Sequence, residues 1–125
     1  MHCKTSTNKK NFKYEIDSQN NVVTITSAAG HVHAYHINAL KDLYEWLKRG
    51  QNGNWVLLGS ANEQDTPIAG SVEEWSRCPA NPIGGFYGVT KNFRGRFSSY
   101  IPAILEQLGF VELEDRKRSN RVKAR

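Results

Sequence analysis

The sequence predicts a compact single domain of the α+β class, in which an N-terminal antiparallel β-meander and a helix pack against a C-terminal helix and hairpin. Three observations predict this class. Apolar and polar residues alternate near the N terminus, an apolar stripe at helical spacing runs through residues 90–108, and alternation returns over residues 110–125. With 125 residues, 38% of them hydrophobic, the chain can build one core. We therefore predict one domain over residues 11–125, preceded by a disordered basic arm over residues 1–10.

Residues 11–59, the first part of this domain, are predicted to form a meander, a helix and a short strand. The strands follow from period-2 alternation and β-branched residues, and the helix from apolar residues three and four positions apart. In chain order the elements are strands over residues 12–17, 22–26 and 31–37, a helix from its N-cap Asn38 to Gly50, and a short buried strand over residues 55–58.

The second part, residues 71–125, predicts two helices and a hairpin. Ser71 and Glu74 form a capping box that begins a short helix ending before Pro79. The main helix is predicted from Thr90 to Leu108, with a kink or split near Ser98 and Ser99 caused by Pro102. Gly109 ends this helix, and a hairpin over residues 110–125 completes the chain.

The formal charge of +5 is unevenly distributed. Residues 1–10 carry three lysines and no anion, residues 11–90 carry five cations and eight anions, and residues 91–125 carry nine cations and four anions. This asymmetry indicates an oriented surface for an anionic partner, although solvation of the two ends gives the same pattern.

Three cations crowd the start of the predicted main helix: Lys91, Arg94 and Arg96. Cations at a helix N terminus oppose the helix dipole, and a bound anion would compensate. Alternatively, Arg94 and Arg96 pair with acidic residues of the same chain, such as Asp65 or Glu73. The sequence leaves both interpretations open.

The final hairpin alternates cleanly on both sides of a loop over residues 117–120. This alternation predicts a register with Leu113 opposite Ala124, Glu114 opposite Lys123, and Glu112 opposite Arg125. The basic residues without a partner in this register lie at the tip of the hairpin: Arg116, Lys117, Arg118 and Arg121.

Other candidate chemistry is weaker. His31 and His33 share one face of a predicted strand and His36 points away, but two imidazoles without a third ligand make a poor metal site, so no metal is expected. Residues 84–88 lack the Lys-Ser/Thr of a phosphate-binding loop and are interpreted as a structural turn, so no cofactor is expected. No catalytic constellation is found; an enzyme would need a pocket that brings His31, His33, His36 or Cys78 to a carboxylate.

The cellular compartment is predicted from the cysteines, from the lack of a signal peptide and from the lack of a membrane-spanning stretch. Cys3 and Cys78 form no disulfide framework and are interpreted as free thiols. The chain start lacks the apolar run of a signal peptide, and no apolar stretch is long enough to span a membrane. The prediction is a cytoplasmic protein.

The tract from Ser99 to Glu112 resembles the end of a winged helix-turn-helix domain. The resemblance lies in a helix that ends in the step Leu108-Gly109-Phe110-Val111 and continues into a basic two-stranded wing. It covers about the last 35 residues, with the helix beginning at Ser71 as a possible first helix. It implies a winged-helix-like C-terminal half in which residues 90–108 enter a groove and the loop over residues 116–121 touches phosphates.

These observations predict a small nucleic-acid-binding protein, with duplex DNA as the preferred partner. The predicted phosphate contacts are Lys91, Arg94, Arg96, Arg116, Lys117, Arg118 and Arg121. The alternative is a non-enzymatic protein-interaction or regulatory module whose basic end docks on an acidic partner. The sequence does not specify the target or the oligomeric state.

Overall fold

A computed structural model describes residues 1–7, 9–114 and 120–125, and it confirms the α+β class. The described elements are β1 (His2–Lys4), β2 (Asn11–Asp17), β3 (Val22–Ser27), β4 (Val32–His36), α1 (Ala39–Glu45) with a π-helical turn (Trp46–Gly50), β5 (Val56–Leu57), α2 (Val72–Trp75), α3 (Phe97–Gln107), β6 (Val111–Leu113) and β7 (Arg121–Ala124).

The N-terminal meander is confirmed and gains one strand. Its sheet has the order β1-β2-β3-β4, all antiparallel. The prediction of a disordered arm is wrong for the described part of residues 1–10, because β1 pairs with β2 and Thr5 and Ser6 are buried. The Ser6 amide also donates to the Ser99 carbonyl of α3 at 2.8 Å. A strand of three residues is too short to show periodicity, so only its tertiary partners reveal it.

The helices predicted in the first 80 residues are also confirmed. α1 follows Asn38, and its π-helical turn ends at Gly50. The hydroxyl of Ser71 accepts from the Glu74 amide at 3.2 Å, and the Glu74 carboxylate accepts from the Gly70 amide at 2.8 Å. The capping box therefore forms at the start of α2.

α3 begins seven residues later than the sequence predicts, at Phe97 instead of Thr90. Asn92 and Arg96 have positive φ angles of 74° and 63°, which a continuing α-helix does not allow. Pro102 lies inside α3 without splitting it. The helix tolerates the missing hydrogen bond because it is buried in the core, where tertiary packing supplies most of its stability.

The core lies between the first sheet and α3. Every α3 residue from Phe97 to Leu105 is buried, and the rings of Tyr35 and Phe97 meet edge to face, with centroids 5.8 Å apart. The expectation that this helix enters a nucleic-acid groove is therefore wrong for residues 97–105, since the sheet and the N-terminal segment cover them.

The second sheet has the order β5-β7-β6, so the predicted strand near residues 55–58 is confirmed and pairs with β7. The predicted hairpin register is wrong by two residues: Val111, Glu112 and Leu113 lie opposite Ala124, Lys123 and Val122. A shift of two keeps every side chain on its face of the sheet, so alternation alone does not separate the two registers.

Two buried serines give a matched test of hydrogen bonding in this core. Ser98 Oγ donates to the Leu58 carbonyl at 2.7 Å, whereas Ser6 Oγ is buried without a partner among the described residues. We expect Ser98→Ala to cost about 1–3 kcal/mol of unfolding free energy and Ser6→Ala to cost nothing or to stabilise. Urea denaturation measures both, and an equal loss for the two variants would contradict this account.

Candidate binding cleft

The three cations predicted at a helix N terminus lie instead on the loop that precedes α3. Lys91 is exposed. Arg94 Nε lies 3.2 Å from Glu63 Oε1, and its guanidinium lies over the Phe86 ring at 5.7 Å. Arg96 Nε donates to Asn62 Oδ1 at 2.7 Å. Arg94 is thus neutralised within the chain, as the second interpretation expects, but by Glu63 instead of Asp65 or Glu73.

The anion at the start of α3 is the carboxylate of Glu73, which has no exposed surface. Its Oε1 accepts from the Ser98 amide at 3.0 Å, and its Oε2 pairs with Arg77 Nη2 at 3.0 Å. Burial raises the pKa of Glu73, and the Ser98 amide and the Arg77 guanidinium oppose that rise. The helix N terminus is therefore filled from within the chain, which favours internal pairing of the two interpretations that the sequence leaves open.

The described part of the hairpin is also internally paired. Arg121 donates to both carboxylate oxygens of Glu114 and lies over the Trp55 ring at 5.5 Å. Lys123 Nζ lies 3.6 Å from Glu112 Oε2 and 4.7 Å from the Trp55 ring centroid. The predicted tip contacts Arg116, Lys117 and Arg118 lie outside the described residues.

A cleft of about 540 Å³ lies beside this loop, between the N-terminal segment, the β3–β4 turn and the loop over residues 61–65. The cleft lies beside the first turn of α3, and this turn contacts the loops on either side of the cleft. The residues that give it chemical character are Lys10, His31, His33, Glu63, Phe93 and Arg96.

The cleft carries positive charge that the described residues do not neutralise. Lys10 and Arg96 line it, and neither forms an ion pair within the described parts of the chain. Glu63 also lines it, but its carboxylate is bound to the guanidinium and the backbone amide of Arg94. Arg96 is oriented by the neutral amide of Asn62, so its charge remains available to a ligand.

Aromatic rings form one wall of the cleft. Phe93 is 40% exposed. The His31 ring stacks on it with centroids 6.1 Å apart and an interplanar angle of 28°. His33 Nδ1 lies 3.2 Å from the Phe93 carbonyl oxygen, and burial lowers the pKa of His33, which favours its neutral form.

The cleft is held rigidly by hydrogen bonds to backbone carbonyls. Arg77 donates to four of them, on Ala61, Asn62, Glu63 and Asp65, at 2.9 to 3.3 Å. Gly95 lies where the loop before α3 packs on the loop over residues 61–65. A larger residue would not fit there, since a Cβ would lie 2.4 Å from the Glu63 nitrogen. This packing maintains Arg96 in the left-handed conformation, and strained residues of this kind often occur at binding sites.

Sequence reasoning identifies Arg96 but misses Lys10, Phe93 and Asn62. The sequence places Lys10 in a predicted disordered arm and Phe93 in the apolar stripe of the predicted main helix. An exposed ring and a loop asparagine carry no sequence signal of their own, and only the tertiary fold brings them together.

Two of the histidines, His31 and His33, lie together in the cleft, whereas His36 and Cys78 lie elsewhere. His31 and His33 share the cleft with Glu63, whose carboxylate is bound to Arg94, while Cys78 lines a separate depression. His36 Nδ1 instead accepts from the Asn38 amide at 3.1 Å. Over the described ranges no three His, Cys, Asp or Glu side chains are placed to hold a metal ion. Cys3 and Cys78 are free thiols.

Fold and cleft together define an α+β domain with a preformed, electropositive cleft. The whole chain, residues 1–125, matches the Family of unknown function (DUF6855), and the chain belongs to that family. No curated protein and no solved structure matches it. Among the described residues, none of the helices has the length and apolar character needed to cross a membrane.

Proposed function

We propose that this chain is a nucleic-acid-binding protein whose cleft receives one nucleotide of a single strand. The observation that carries the proposal is the guanidinium of Arg96, which lines the cleft without a carboxylate partner in the described residues. Free thiols fit a reducing compartment, so a cytoplasmic location is part of the proposal.

The cations support a phosphate contact. A guanidinium binds phosphate through two parallel N–H donors, and Lys10 supplies a second charge in the same cleft. Thr7 and Ser99 add hydroxyl groups to the lining, and Ser99 Oγ lies 2.6 Å from Ser60 Oγ. These groups suit the polar edge of a sugar-phosphate unit.

The exposed ring supports a base contact. Phe93 is partly exposed in the cleft that the cations line, and the His31 ring stacks on it. A base stacked on an aromatic side chain contributes about 1–3 kcal/mol to single-strand binding, largely independently of sequence. A cation and an exposed ring in one cleft are the combination that single-strand binding proteins use.

The shape of the site favours a single strand over the duplex that the sequence suggests. Reading a duplex requires an element with a free face that can enter a groove, and α3 is buried from Phe97 to Leu105. A cleft of about 540 Å³ is the size of a small-ligand site. The winged-helix resemblance stays a prediction, supported by the run of α3 into the β6–β7 hairpin.

A fluorescence anisotropy titration with a labelled single-stranded oligonucleotide tests the proposal. We expect Phe93→Ala to lose about 5- to 100-fold in affinity, since one stacked base is removed. Lys10→Gln should weaken binding and lower the slope of log K against log salt by about 0.7. Lys41→Gln, an exposed lysine on α1, makes the same change in net charge and should leave binding unchanged.

The competing interpretations give different results in the same titration. If the duplex of the same sequence binds more tightly than the single strand, the proposed mode is wrong. If polyglutamate competes as well as DNA and Phe93→Ala has no effect, the chain docks on acidic proteins instead. Free mononucleotide that binds as tightly as the oligonucleotide would identify a nucleotide-binding protein.

A further inference from the structure

We infer that the electropositive cleft selects ribose over deoxyribose, so that its preferred ligand is single-stranded RNA. The inference rests on the proposed function, since it names the kind of strand that the same cleft receives. It comes from two lining side chains that the phosphate and base contacts do not use, His33 and Tyr100. They are only 6% and 7% exposed, and we call them the floor of the cleft.

The His33 ring presents a hydrogen-bond acceptor to the cleft. Its Nδ1 lies 3.2 Å from the Phe93 carbonyl oxygen, and because a carbonyl can only accept, Nδ1 carries the proton. In the neutral ring, the form that burial favours by lowering the pKa of His33, the lone pair therefore lies on Nε2. Nε2 has no hydrogen-bond partner among the described residues. Within those residues only Ser6 Oγ is fully enclosed without a partner, so Nε2 reaches the open space of the cleft.

The Tyr100 hydroxyl is the second polar atom of the floor. It too lacks a partner in the described part of the chain, and it too is not fully enclosed. The ring is held in place by Phe12, with centroids 5.1 Å apart, and lies 5.2 Å from the His33 ring. Burial raises the pKa of Tyr100, so the hydroxyl keeps its proton at neutral pH. The floor therefore offers a donor beside an acceptor.

A hydroxyl group of the ligand matches this pair, because a hydroxyl both donates and accepts hydrogen bonds. The 2′-hydroxyl of a ribose would donate to His33 Nε2 and accept from Tyr100 Oη. This hydroxyl is the group by which proteins distinguish RNA from DNA. A deoxyribose in the same place would exclude water from both atoms and leave them without a partner, which weakens binding.

The Arg96 guanidinium places a phosphate beside this floor. Burial has the largest effect on the pKa of His33 and of Tyr100, and the Arg96 charge lowers both pKa values. The three side chains therefore lie within electrostatic range of one another. In a nucleic-acid strand the 2′-carbon is bonded to the carbon that carries the 3′-phosphate. A strand whose phosphate meets Arg96 thus brings its 2′ position to the floor.

Fluorescence anisotropy with labelled oligouridine and oligodeoxyuridine tests this inference, because the two strands differ only at the 2′ position and uracil has no amino group. We expect the ribose strand to bind about 5- to 30-fold more tightly. Oligouridine with fluorine at the 2′ position keeps a ribose-like sugar shape but lacks the donor, so it should bind like the deoxyribose strand.

The possible failures are distinguishable. If neither oligouridine nor oligodeoxyuridine binds, the proposed function is wrong and this inference falls with it. Equal affinity for the two strands overturns this inference alone, and the proposed function stands. A fluorinated strand that binds as tightly as the ribose strand shows that sugar shape is selected instead of the hydroxyl, which also overturns the inference.

Variants of the floor locate the selection. Tyr100→Phe removes only a hydroxyl that has no partner in the described ranges, so the fold should be kept. We expect it to lower the ratio of ribose to deoxyribose affinity by about 3- to 10-fold, and His33→Phe to lower the ratio similarly. Tyr44→Phe makes the same change on α1, outside the cleft, and should keep the wild-type ratio. A wild-type ratio in folded Tyr100→Phe and His33→Phe would show that the floor does not read the sugar.

Discussion

Replacing Arg77 by methionine should destabilise the domain by about 3–5 kcal/mol, the largest stability effect expected here. The Arg77 side chain is 9% exposed and pairs with Glu73, which has no exposed side-chain surface. Removal of Arg77 leaves the Glu73 carboxylate buried without its cation and leaves four loop carbonyls without their donor. Typical domains have only 5–15 kcal/mol in total, so this variant should be close to unfolding.

Urea denaturation followed by circular dichroism measures this loss. Arg49→Met is the matched control, because Arg49 is exposed at the end of the π-helical turn and should change stability by less than about 0.5 kcal/mol. If Arg77→Met is as stable as this control, the buried pair does not hold the loop. Glu73→Leu combined with Arg77→Met should be less destabilised than the sum of the single changes, because neither group is then left unpaired.

Replacing Arg96 by glycine should have effects of opposite sign on stability and on binding. Arg96 has φ 63° and ψ 15°, a conformation that costs an ordinary residue about 1–2 kcal/mol and glycine almost nothing. Glycine also gains freedom in the unfolded chain, which offsets about 0.4–1 kcal/mol of that relief. We therefore expect the free energy of unfolding to be unchanged or to rise by up to about 1.5 kcal/mol.

Affinity for single-stranded DNA should meanwhile fall by about 10- to 100-fold, the value of one charge-assisted hydrogen-bonding group. Asn21→Gly is the control, since Asn21 has φ 58° in an exposed turn and lies outside the cleft. A stable Arg96→Gly variant with wild-type affinity would remove Arg96 from the site. A variant that loses stability would mean that Arg96 serves the fold instead.

Local patterns in the sequence predict the meander, α1 and the capping box of α2 because each is specified by adjacent residues. The start of α3 is different. It depends on two positive φ angles, at Asn92 and Arg96, and the chain at Gly95 and Arg96 packs closely on the loop over residues 61–65. The hairpin register is ambiguous in the sequence because a two-residue shift preserves the alternation of apolar and polar residues.

The candidate site was less predictable than the fold. Charge counting draws attention to residues 91–96, but it does not reveal which cations have internal partners. Glu63 neutralises Arg94, whereas the Arg96 guanidinium donates to the side-chain oxygen of Asn62 and forms no ion pair within the described residues. The sequence offers Glu73 as a partner for Arg94 or Arg96, and its burial beneath α3 follows from packing that no local pattern encodes.

The most direct test of the central proposal is a two-dimensional ¹H–¹⁵N NMR titration of the labelled protein with a short single-stranded oligonucleotide. The account predicts saturable amide shift changes concentrated at residues that line the cleft, including Lys10, His31, Phe93 and Arg96, with little change in β6 and β7. Changes confined to the β6–β7 hairpin, with the cleft amides unmoved, would contradict it.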